Sequence, residues 1–434
     1  MVPHGPERDG PERHDTDAPG QGHEVDTAEA RRSPVLLLAV WALTRLVLLL
    51  FVLKAWTFPG PDVTSDVSVI YQGWYDTLRS GSFPHDDVTW QYPPAGALAI
   101  LSPALLPFLD YAHAFAVLAC LADLAVLCLL RYAGRRPGRT PRGAWVWVVG
   151  VALLGPTVYA RYDVMVTAVA VAALLAGLRR PRVLGALVGL GALLKVWPVL
   201  LLAGVARRRV WLSAAATAGA LALLFALTAP GAFAFLTAQR DRGTEVESLG
   251  ALVFHVARHF GWEGRVLLNY GSVEFLGPYV DLVSAGALFL SVIGFGWLLL
   301  WRVSAGRLPA RALTDTAFVA VLLFTVTSRV ISPQYLVWLV GLAAVCLCFR
   351  DSRMTLPGHL VLGACLATVL EFPVFFANVV ASDGLGITLL LVRNGLLVLA
   401  TVTAALQLWR GTVSQPLPTV PPQATRSQET LSSS

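Results

Sequence analysis

The residues best suited to chemistry lie in one stretch, residues 65–94, directly after the first long apolar segment of the chain. The stretch contains several carboxylates (Asp66, Asp76, Asp86 and Asp87) and a cluster of Trp, Tyr and Pro residues. A carboxylate can act as a general base toward a hydroxyl group. Acids and aromatic rings placed where an apolar chain meets water favour an enzyme that acts on a polar group at the lipid surface, ahead of a channel.

Asp66 is the first candidate base. The spacing of Asp66, Ile70 and Trp74 predicts a short interfacial helix with an apolar stripe and with the carboxylate in its first turn. The free amides and the dipole at a helix N-terminus stabilise a charged carboxylate, which is the form that a base requires. The alternative interpretation is an ordinary N-cap residue.

Composition identifies the kind of protein that must position these residues. The chain is 56% hydrophobic and 14% charged over 434 residues, which is too apolar for a single soluble core. Its basic residues lie in short clusters between apolar segments, which is typical of membrane orientation and not of a nucleic-acid-binding surface. The five cysteines all lie inside apolar runs and are predicted to be buried hydrophobic residues, not disulfides or metal ligands.

The basic clusters predict the topology, because cytoplasmic loops carry an excess of Lys and Arg. They lie at 31–32, 131–142, 179–182, 207–209, 302–311, 350–353 and 410. Placing all of them in the cytoplasm predicts spans at about 34–56, 111–131, 144–160, 163–178, 211–230, 281–301, 312–330, 334–349, 356–373 and 385–409, with cytoplasmic termini. Two long outer loops follow, 57–110 and 231–280. Residues 1–32 and 411–434 are predicted to be disordered tails around a membrane domain at 33–410.

Residues 183–206 do not fit a simple span. They lie between two basic clusters that share one side, so the chain must cross an even number of times, yet two full spans need roughly 20 residues each. A broken helical hairpin with its turn at Lys195-Val196-Trp197-Pro198 is the predicted solution, because proline removes a backbone donor. Irregular backbone at this depth must be buried or line a wet cavity, so we expect Lys195 to point into a cavity. The alternative is one tilted span.

Three further segments carry polar side chains beside apolar runs. Arg161-Tyr162-Asp163 lies between two predicted spans, where its charges must be either used or mutually satisfied. The segment from Arg240 to Ser248 opens the second outer loop and forms either a solvated face or one wall of an anion site. The segment 328–335 is either an ordinary turn or a site where Arg329 pairs with a phosphate and Gln334 binds a hydroxyl group.

Charged residues within the predicted spans indicate structural pairs. Arg45 and Asp123 fall near the middle of two antiparallel spans and are predicted to form an ion pair. Glu371 and Arg393 are predicted to form a second pair. His255 and His259 have helical spacing but lack the HExxH arrangement, so metal binding is not expected there.

Several short blocks in this order resemble glycosyltransferase family 87, the polyprenyl-phosphate-mannose-dependent membrane proteins of GT-C architecture. The blocks are Asp66 to Tyr71 with Gly81 and Tyr92-Pro93-Pro94, Arg161-Tyr162-Asp163, Leu194-Lys195 with Pro198, Arg242-Gly243 with Glu247-Ser248, and Ser332-Pro333-Gln334-Tyr335. They cover nearly the whole membrane domain, and Gln334 stands near the Ser-Pro block, where some members carry a histidine.

The resemblance implies an all-α polytopic bundle of about 10–12 transmembrane helices with two long outer loops bearing interfacial helices. It implies inverting transfer of a hexose, with mannose the expected sugar, from a polyprenyl-phosphate donor to a lipid or glycan acceptor on the outer face of a bacterial plasma membrane. Asp66 matches the catalytic base. A leaving phosphate requires fixed positive charge. The expected phosphate-binding residues are Lys195, Arg242 and Arg329, and the expected substrate pocket comprises Tyr71, Tyr92, Arg161, Asp163, Glu247, Gln334 and Tyr335. Neither a metal ion nor a cofactor is expected.

Two alternatives remain at this level. A secondary transporter shares the polytopic character, although such proteins usually carry broken helices in two matching halves and the sequence has one such segment. A lipid-linked-glycan polymerase or ligase would share an outer active site.

Overall fold

The computed structural model describes Met1 and residues 21–238, 242–306 and 308–413. The chain divides into two units, Met1–Thr44 and Arg45–Ser434, and the described part of the first consists mainly of the beginning of helix α1 (Gln21–Val52). This helix begins within the stretch for which the sequence predicted a disordered tail, where Ala28, Glu29 and Ala30 are strong helix formers. Residues 2–20 and 414–434 of the two predicted tails lie outside the described residues.

The larger unit is built almost entirely of helices. The first long loop contains a π-helical turn (Asp66–Tyr71), α2 (Gln72–Arg79) and α3 (Gly96–Leu101). Then follow α4 (Tyr111–Gly134), α5 (Arg142–Leu154), α6 (Asp163–Gly177), α7 (Pro181–Leu194), α8 (Arg208–Thr228), α9 (Phe235–Ala238), α10 (Leu252–Ala257), α11 (Val280–Ser304), α12 (Ala312–Thr327), α13 (Tyr335–Cys346), α14 (Thr355–Val369), α15 (Phe376–Ala381) and α16 (Gly384–Thr412).

The chain is a polytopic membrane protein, as its composition predicted. Among the described residues, seven helices are long and apolar enough to cross a membrane: α1, α4, α5 with its following turn, α8, α11, α14 with its following turn, and α16. The predicted spans at 163–178, 312–330 and 334–349 correspond to the shorter apolar helices α6, α12 and α13. Helices α12 and α13 are buried along most of their length, because neighbouring helices pack around them.

The basic clusters of the larger unit gather at one end of its helices. Four contacts at this end join segments within or beside the clusters. The Thr140 amide donates to the Cys348 carbonyl at 2.9 Å, and Arg311 forms a salt bridge with Asp351. The Trp301 indole donates to the Thr412 hydroxyl at 2.8 Å, and Gly204 packs against Thr316. The opposite ends of the same helices carry Asp163, Leu194, Thr327 and Tyr335. The candidate site residues therefore lie at the end away from the basic clusters.

The predicted broken hairpin at 183–206 is confirmed. Helices α7 and α8 run parallel, because the Ser213 hydroxyl near the start of α8 donates to the Arg182 carbonyl near the start of α7 at 2.7 Å. Gly185 permits this close approach, since a Cβ there would lie 2.2 Å from the Val210 carbonyl oxygen. The chain must therefore return along α7 between Leu194 and Arg208. It turns at Lys195, whose backbone is extended, and the alternative of one tilted span is excluded.

The second long loop contains a small sheet that the sequence analysis missed. Strands β1 (Thr244–Glu245), β2 (Arg265–Asn269) and β3 (Ser272–Leu276) are antiparallel in the order β1-β3-β2. The β2–β3 turn consists of Tyr270 and Gly271, both with positive φ, which is typical of a two-residue hairpin. The Asn-Tyr-Gly-Ser sequence between alternating residues was the available signal.

Both predicted ion pairs are confirmed. Arg45 binds Asp123 through two nitrogens, at 2.9 and 3.1 Å, and Arg393 Nε lies 3.1 Å from Glu371 Oε2. All of these side chains are at most 2% exposed. His255, by contrast, binds the backbone carbonyl of Val246 and the hydroxyl of Ser382, which joins the second loop to the turn before α16.

Candidate active site

A cavity of about 630 Å³ lies at the end of the larger unit that is opposite to the basic clusters. It is bounded by the first long loop, the segment before α6, the break after α7, the second long loop and the segment between α12 and α13. Ten of the eleven residues that the sequence analysis selected line it: Asp66, Tyr71, Tyr92, Arg161, Lys195, Arg242, Glu247, Arg329, Gln334 and Tyr335. The eleventh, Asp163, is in direct contact with Lys195.

Asp66 is paired with Arg161. Its Oδ2 lies 2.7 Å from Arg161 Nη2, and the same guanidinium donates to the carbonyls of Val63 and Ala160. The N-cap position of the helical turn belongs to Ser65, and no side chain caps the turn, so the alternative that Asp66 is an N-cap residue is wrong. The Asp66 side chain is 29% exposed, so a fixed cation orients a carboxylate that a substrate can reach.

Arg161 and Asp163 do not form an ion pair with each other. Asp163 Oδ1 instead lies 2.6 Å from Lys195 Nζ and accepts a hydrogen bond from the Trp338 indole at 2.7 Å. Asp163 is almost fully buried, and Lys195 is surrounded by the rings of Tyr92, Tyr162, Tyr335 and Trp338 at 5.1–5.8 Å. The break after α7 thus places an ammonium group at the cavity wall, held by a buried carboxylate.

Arg242 connects the two long loops. It donates to Glu274 at 2.7 Å, to the Gln91 amide oxygen at 2.8 Å and to the Ser272 hydroxyl at 2.6 Å. These contacts use three of the five N–H groups of the guanidinium. The Arg242 side chain is 11% exposed, and Glu245 and Glu247 are buried, so the interpretation as a solvated face is wrong for residues 242–248. Arg240 and Asp241 of the same segment lie outside the described residues.

Glu245 is a cavity residue that the sequence analysis did not select. It is 2% exposed, and its Oε1 accepts a hydrogen bond from the Ser332 hydroxyl at 2.8 Å. Its Oε2 is buried and has no hydrogen-bond partner among the described residues. Burial raises the pKa of Glu245, and the nearby Arg242 opposes this effect. The alternation of Thr-Glu-Val-Glu was the signal, because an extended chain places residues 245 and 247 on one face.

Glu247 is buried and contacts the ion pair of Glu371 and Arg393. Its Oε1 is 3.7 Å from Arg393, and it is also close to Glu371. Burial and the neighbouring carboxyls raise the pKa of Glu247 well above its ordinary value. Glu247 therefore connects the cavity wall to the pair formed by Glu371, in the turn after α14, and Arg393 in α16.

The segment between α12 and α13 forms the next wall. The Glu245 amide donates a hydrogen bond to the Arg329 carbonyl at 3.1 Å, which joins the second long loop to this segment. Burial, with Arg242 nearby, lowers the pKa of the half-buried Arg329. Aromatic rings complete the wall, since Trp338 stacks on Tyr335 at 4.1 Å and on Trp197 at 5.1 Å. The cavity therefore combines cations, carboxyls and flat apolar faces. Among the described residues, no three His, Cys, Asp or Glu side chains are grouped to hold a metal ion.

The comparison with protein families gives one match. The model of glycosyltransferase family 87 matches residues 90–333, which is more than half of the chain. The matched range contains Tyr92, Arg161, Lys195 and the second long loop, whereas Asp66 lies before it and Tyr335 just after it. No curated protein and no solved structure matches the chain significantly.

Proposed function

The chain belongs to glycosyltransferase family 87, and from this premise we propose that it transfers a hexose, with mannose as the first expectation, from a polyprenyl-phosphate donor to a lipid or glycan acceptor. The observation that carries the proposal is that one cavity combines Asp66, Lys195 and two arginines at one end of an apolar helix bundle. A polyprenyl donor keeps its tail in lipid and its phosphate at the membrane surface, and a polar cavity at one end of the membrane helices suits such a donor. Family membership favours this activity over the transporter alternative.

The distribution of charge supports action on the outer face of the plasma membrane. Basic clusters occupy the helix ends opposite to the cavity, and cytoplasmic loops are the ones enriched in Lys and Arg. With the basic end in the cytoplasm, the cavity faces outward and the C-terminal end of α16 lies inside. By the same rule, Arg31 and Arg32 before the first span support a cytoplasmic N-terminus.

In the proposed reaction, Asp66 acts as the base of an inverting transfer. Its carboxylate takes the proton of the acceptor hydroxyl as the acceptor oxygen forms a bond to C1 of the sugar. The bond between C1 and the phosphate oxygen breaks on the opposite face, and its electron pair leaves with the polyprenyl phosphate. Arg161 orients the carboxylate, since its other hydrogen bonds hold it to the backbone.

Fixed positive charge stabilises the leaving phosphate in this scheme. Lys195, Arg242 and Arg329 line the cavity, and ion pairs with Asp163 and Glu274 hold Lys195 and Arg242 before substrate binds. Charges positioned in advance in a site that excludes water stabilise developing negative charge without reorganisation. This is the role that we propose for the three cations.

The remaining wall residues suit a sugar. The unpartnered Glu245 Oε2 offers an acceptor to a sugar hydroxyl, and an unpaired buried acceptor otherwise costs about 1–3 kcal/mol. Tyr92 and Tyr335 present aromatic rings, and Gln334 offers both a donor and an acceptor. We propose that these residues, with Tyr71 and Glu247, form the sugar pocket.

The test is transfer of label. Membranes containing the protein are incubated with polyprenyl-phosphate-mannose labelled in the sugar, and membranes containing Asp66→Asn serve as the matched control. Label should move to a lipid or glycan only with the wild type. Failure to transfer from this donor and from other polyprenyl-phosphate hexoses would refute the proposal. Movement of a whole lipid-linked glycan in place of one hexose would indicate the polymerase or ligase alternative.

A further inference from the structure

Six arginines lie side by side where helices α7 and α8 begin. All six are exposed: Arg179, Arg180, Arg182, Arg207, Arg208 and Arg209. The Ser213 hydroxyl donates to the Arg182 carbonyl at 2.7 Å, and Ser213 follows Arg209 by one helical turn, which is about 6 Å. The two runs of arginine are therefore neighbours in space, and we refer to the six residues as the α7–α8 arginine cluster.

The positive charge of this cluster is not balanced by nearby acids. The sequence contains no Asp or Glu between Asp163 and Asp241. Within the part of the chain that the structure describes, none of the six guanidinium groups makes a hydrogen bond or an ion pair. At the same end of the molecule, by contrast, Arg311 is paired with Asp351. Like charges at this spacing repel one another, so the cluster is suited to an anion supplied from outside the chain.

The cluster lies at the level of the lipid headgroups. Helix α8 is long and apolar enough to cross a membrane, and Val210 and Ala214 are its buried residues, so lipid can surround most of it. Trp211 is about half exposed, and its indole donates to the Val205 carbonyl at 3.1 Å. Tryptophan is enriched at membrane–water interfaces. Trp211 therefore marks the interface, and the arginines before it lie on the aqueous side, where lipid phosphates are found.

We propose that the α7–α8 arginine cluster binds the anionic headgroup of a phospholipid, and that Trp211 and Leu212 contact its acyl chains. A guanidinium can bind a phosphate through two parallel hydrogen bonds, and basic residues close to the membrane surface attract anionic lipids. Trp211 and Leu212 are both exposed directly beside the cluster, so one lipid can reach the cations and the apolar side chains together. The site lies at the end opposite to the reaction cavity and does not depend on the proposed function.

A bound headgroup stabilises the helical hairpin. Helices α7 and α8 approach closely, since a Cβ on Gly185 or Gly189 would lie 2.2 or 2.5 Å from a carbonyl oxygen of α8. The same approach brings the two runs of arginine together, and their repulsion opposes the packing of the helices. A phosphate between them replaces repulsion with attraction. Because α7 ends at the break that carries Lys195, the lipid supports the helix that positions this residue.

Lipid binding in detergent tests the assignment. Binding of phosphatidylglycerol, labelled with a fluorophore on an acyl chain, is measured by anisotropy with the full-length protein. Arg180→Gln with Arg208→Gln removes one cation from each run, and Arg131→Gln with Arg135→Gln is the matched control, because it removes the same charge at the end of α4. One basic residue near the surface changes the affinity for an anionic lipid by roughly fivefold. The first variant should therefore raise the Kd at least about tenfold, and the control should change it little.

Competition and cross-linking complete the test. An equal rise in Kd in the two variants would overturn the assignment, since binding would then follow total charge. Equal competition by phosphatidylcholine, or by inorganic phosphate at the same concentration, would overturn it as well. In the wild type, which needs no variant to fold, a photoactivatable phosphatidylglycerol should cross-link beside Trp211 and Leu212, and cross-links only elsewhere would reject the site. None of these measurements involves sugar transfer, so their failure is distinct from failure of the proposed function.

Discussion

The pair formed by Lys195 and Asp163 permits a test that separates structure from catalysis. The perturbation is Lys195→Met, alone and combined with Asp163→Asn. In the wild type Nζ lies 2.6 Å from Asp163 Oδ1, and Asp163 is 1% exposed. Loss of the ammonium leaves a buried carboxylate without its cation, which typically costs about 3–5 kcal/mol of unfolding free energy. The Asn side chain of the double variant removes that charge and keeps an oxygen for the Trp338 indole, so most of the stability should return.

Turnover should respond differently. If Lys195 binds the donor phosphate, its removal eliminates a charge-assisted hydrogen bond that contributes about 1.5–3 kcal/mol. This corresponds to a fall of roughly 10- to 150-fold in kcat/KM for the donor. The double variant should show the same fall although it is stable again. Lys195→Arg should recover only part of the activity, because a planar fork does not replace a compact charge.

Thermal unfolding in detergent measures the stability of each variant, and steady-state transfer with varied donor measures kcat/KM. A double variant that recovers both stability and turnover would refute the reasoning, since Lys195 would then serve only to neutralise Asp163. If Lys195→Met alone is as stable as the wild type, Lys195 does not stabilise the fold by pairing with Asp163.

Three further predictions test other parts of the molecule. Asp66→Asn should abolish transfer without affecting folding, whereas the exposed Asp76→Asn in the same loop should remain active; the reverse result would reject Asp66 as the base. Removal of Arg45 or Asp123 alone should lower the unfolding free energy by about 3–5 kcal/mol, and replacing both with apolar residues should restore part of it, so additive losses in a double-mutant cycle would contradict the pair. Burial lowers the pKa of His255 to about 4. Below the ordinary pKa of histidine, the unfolded chain binds a proton at His255 that the folded chain does not bind. The unfolding free energy should therefore decrease by up to about 1.4 kcal/mol for each unit that the pH falls from 6.5 to about 4. The variant His255→Gln should show a smaller dependence of the unfolding free energy on pH.

Several features were predictable because the signal is local. The apolar runs mark the membrane helices, and proline after Lys195 marks the break in the hairpin. The pairing of Arg45 with Asp123 was predictable for a related reason, since each charge interrupts an apolar run near the middle of an adjacent antiparallel span. The β2–β3 hairpin was also within reach, through its Asn-Tyr-Gly-Ser turn.

The partners within the site were not predictable. Arg161 and Asp163 are two residues apart, yet each binds a more distant partner, because the backbone between them ends a turn and begins α6. The role of Glu245 was not predicted, because its hydrogen-bond partner Ser332 is 87 residues away in the chain. Burial of this kind depends on which segments pack together, and no local pattern reports it.

The sequence by itself determined that this chain enters a membrane, where its helices lie and which of their ends carry the basic clusters. These properties follow from the side chains of each segment, because every segment in lipid must satisfy its own backbone and present apolar groups. Only the tertiary structure decided that Asp66, Lys195, Arg242 and Arg329 share one cavity. Their segments are separated by tens of residues, and the packing of α6, α7, α12 and the two long loops brings their charges close enough to interact.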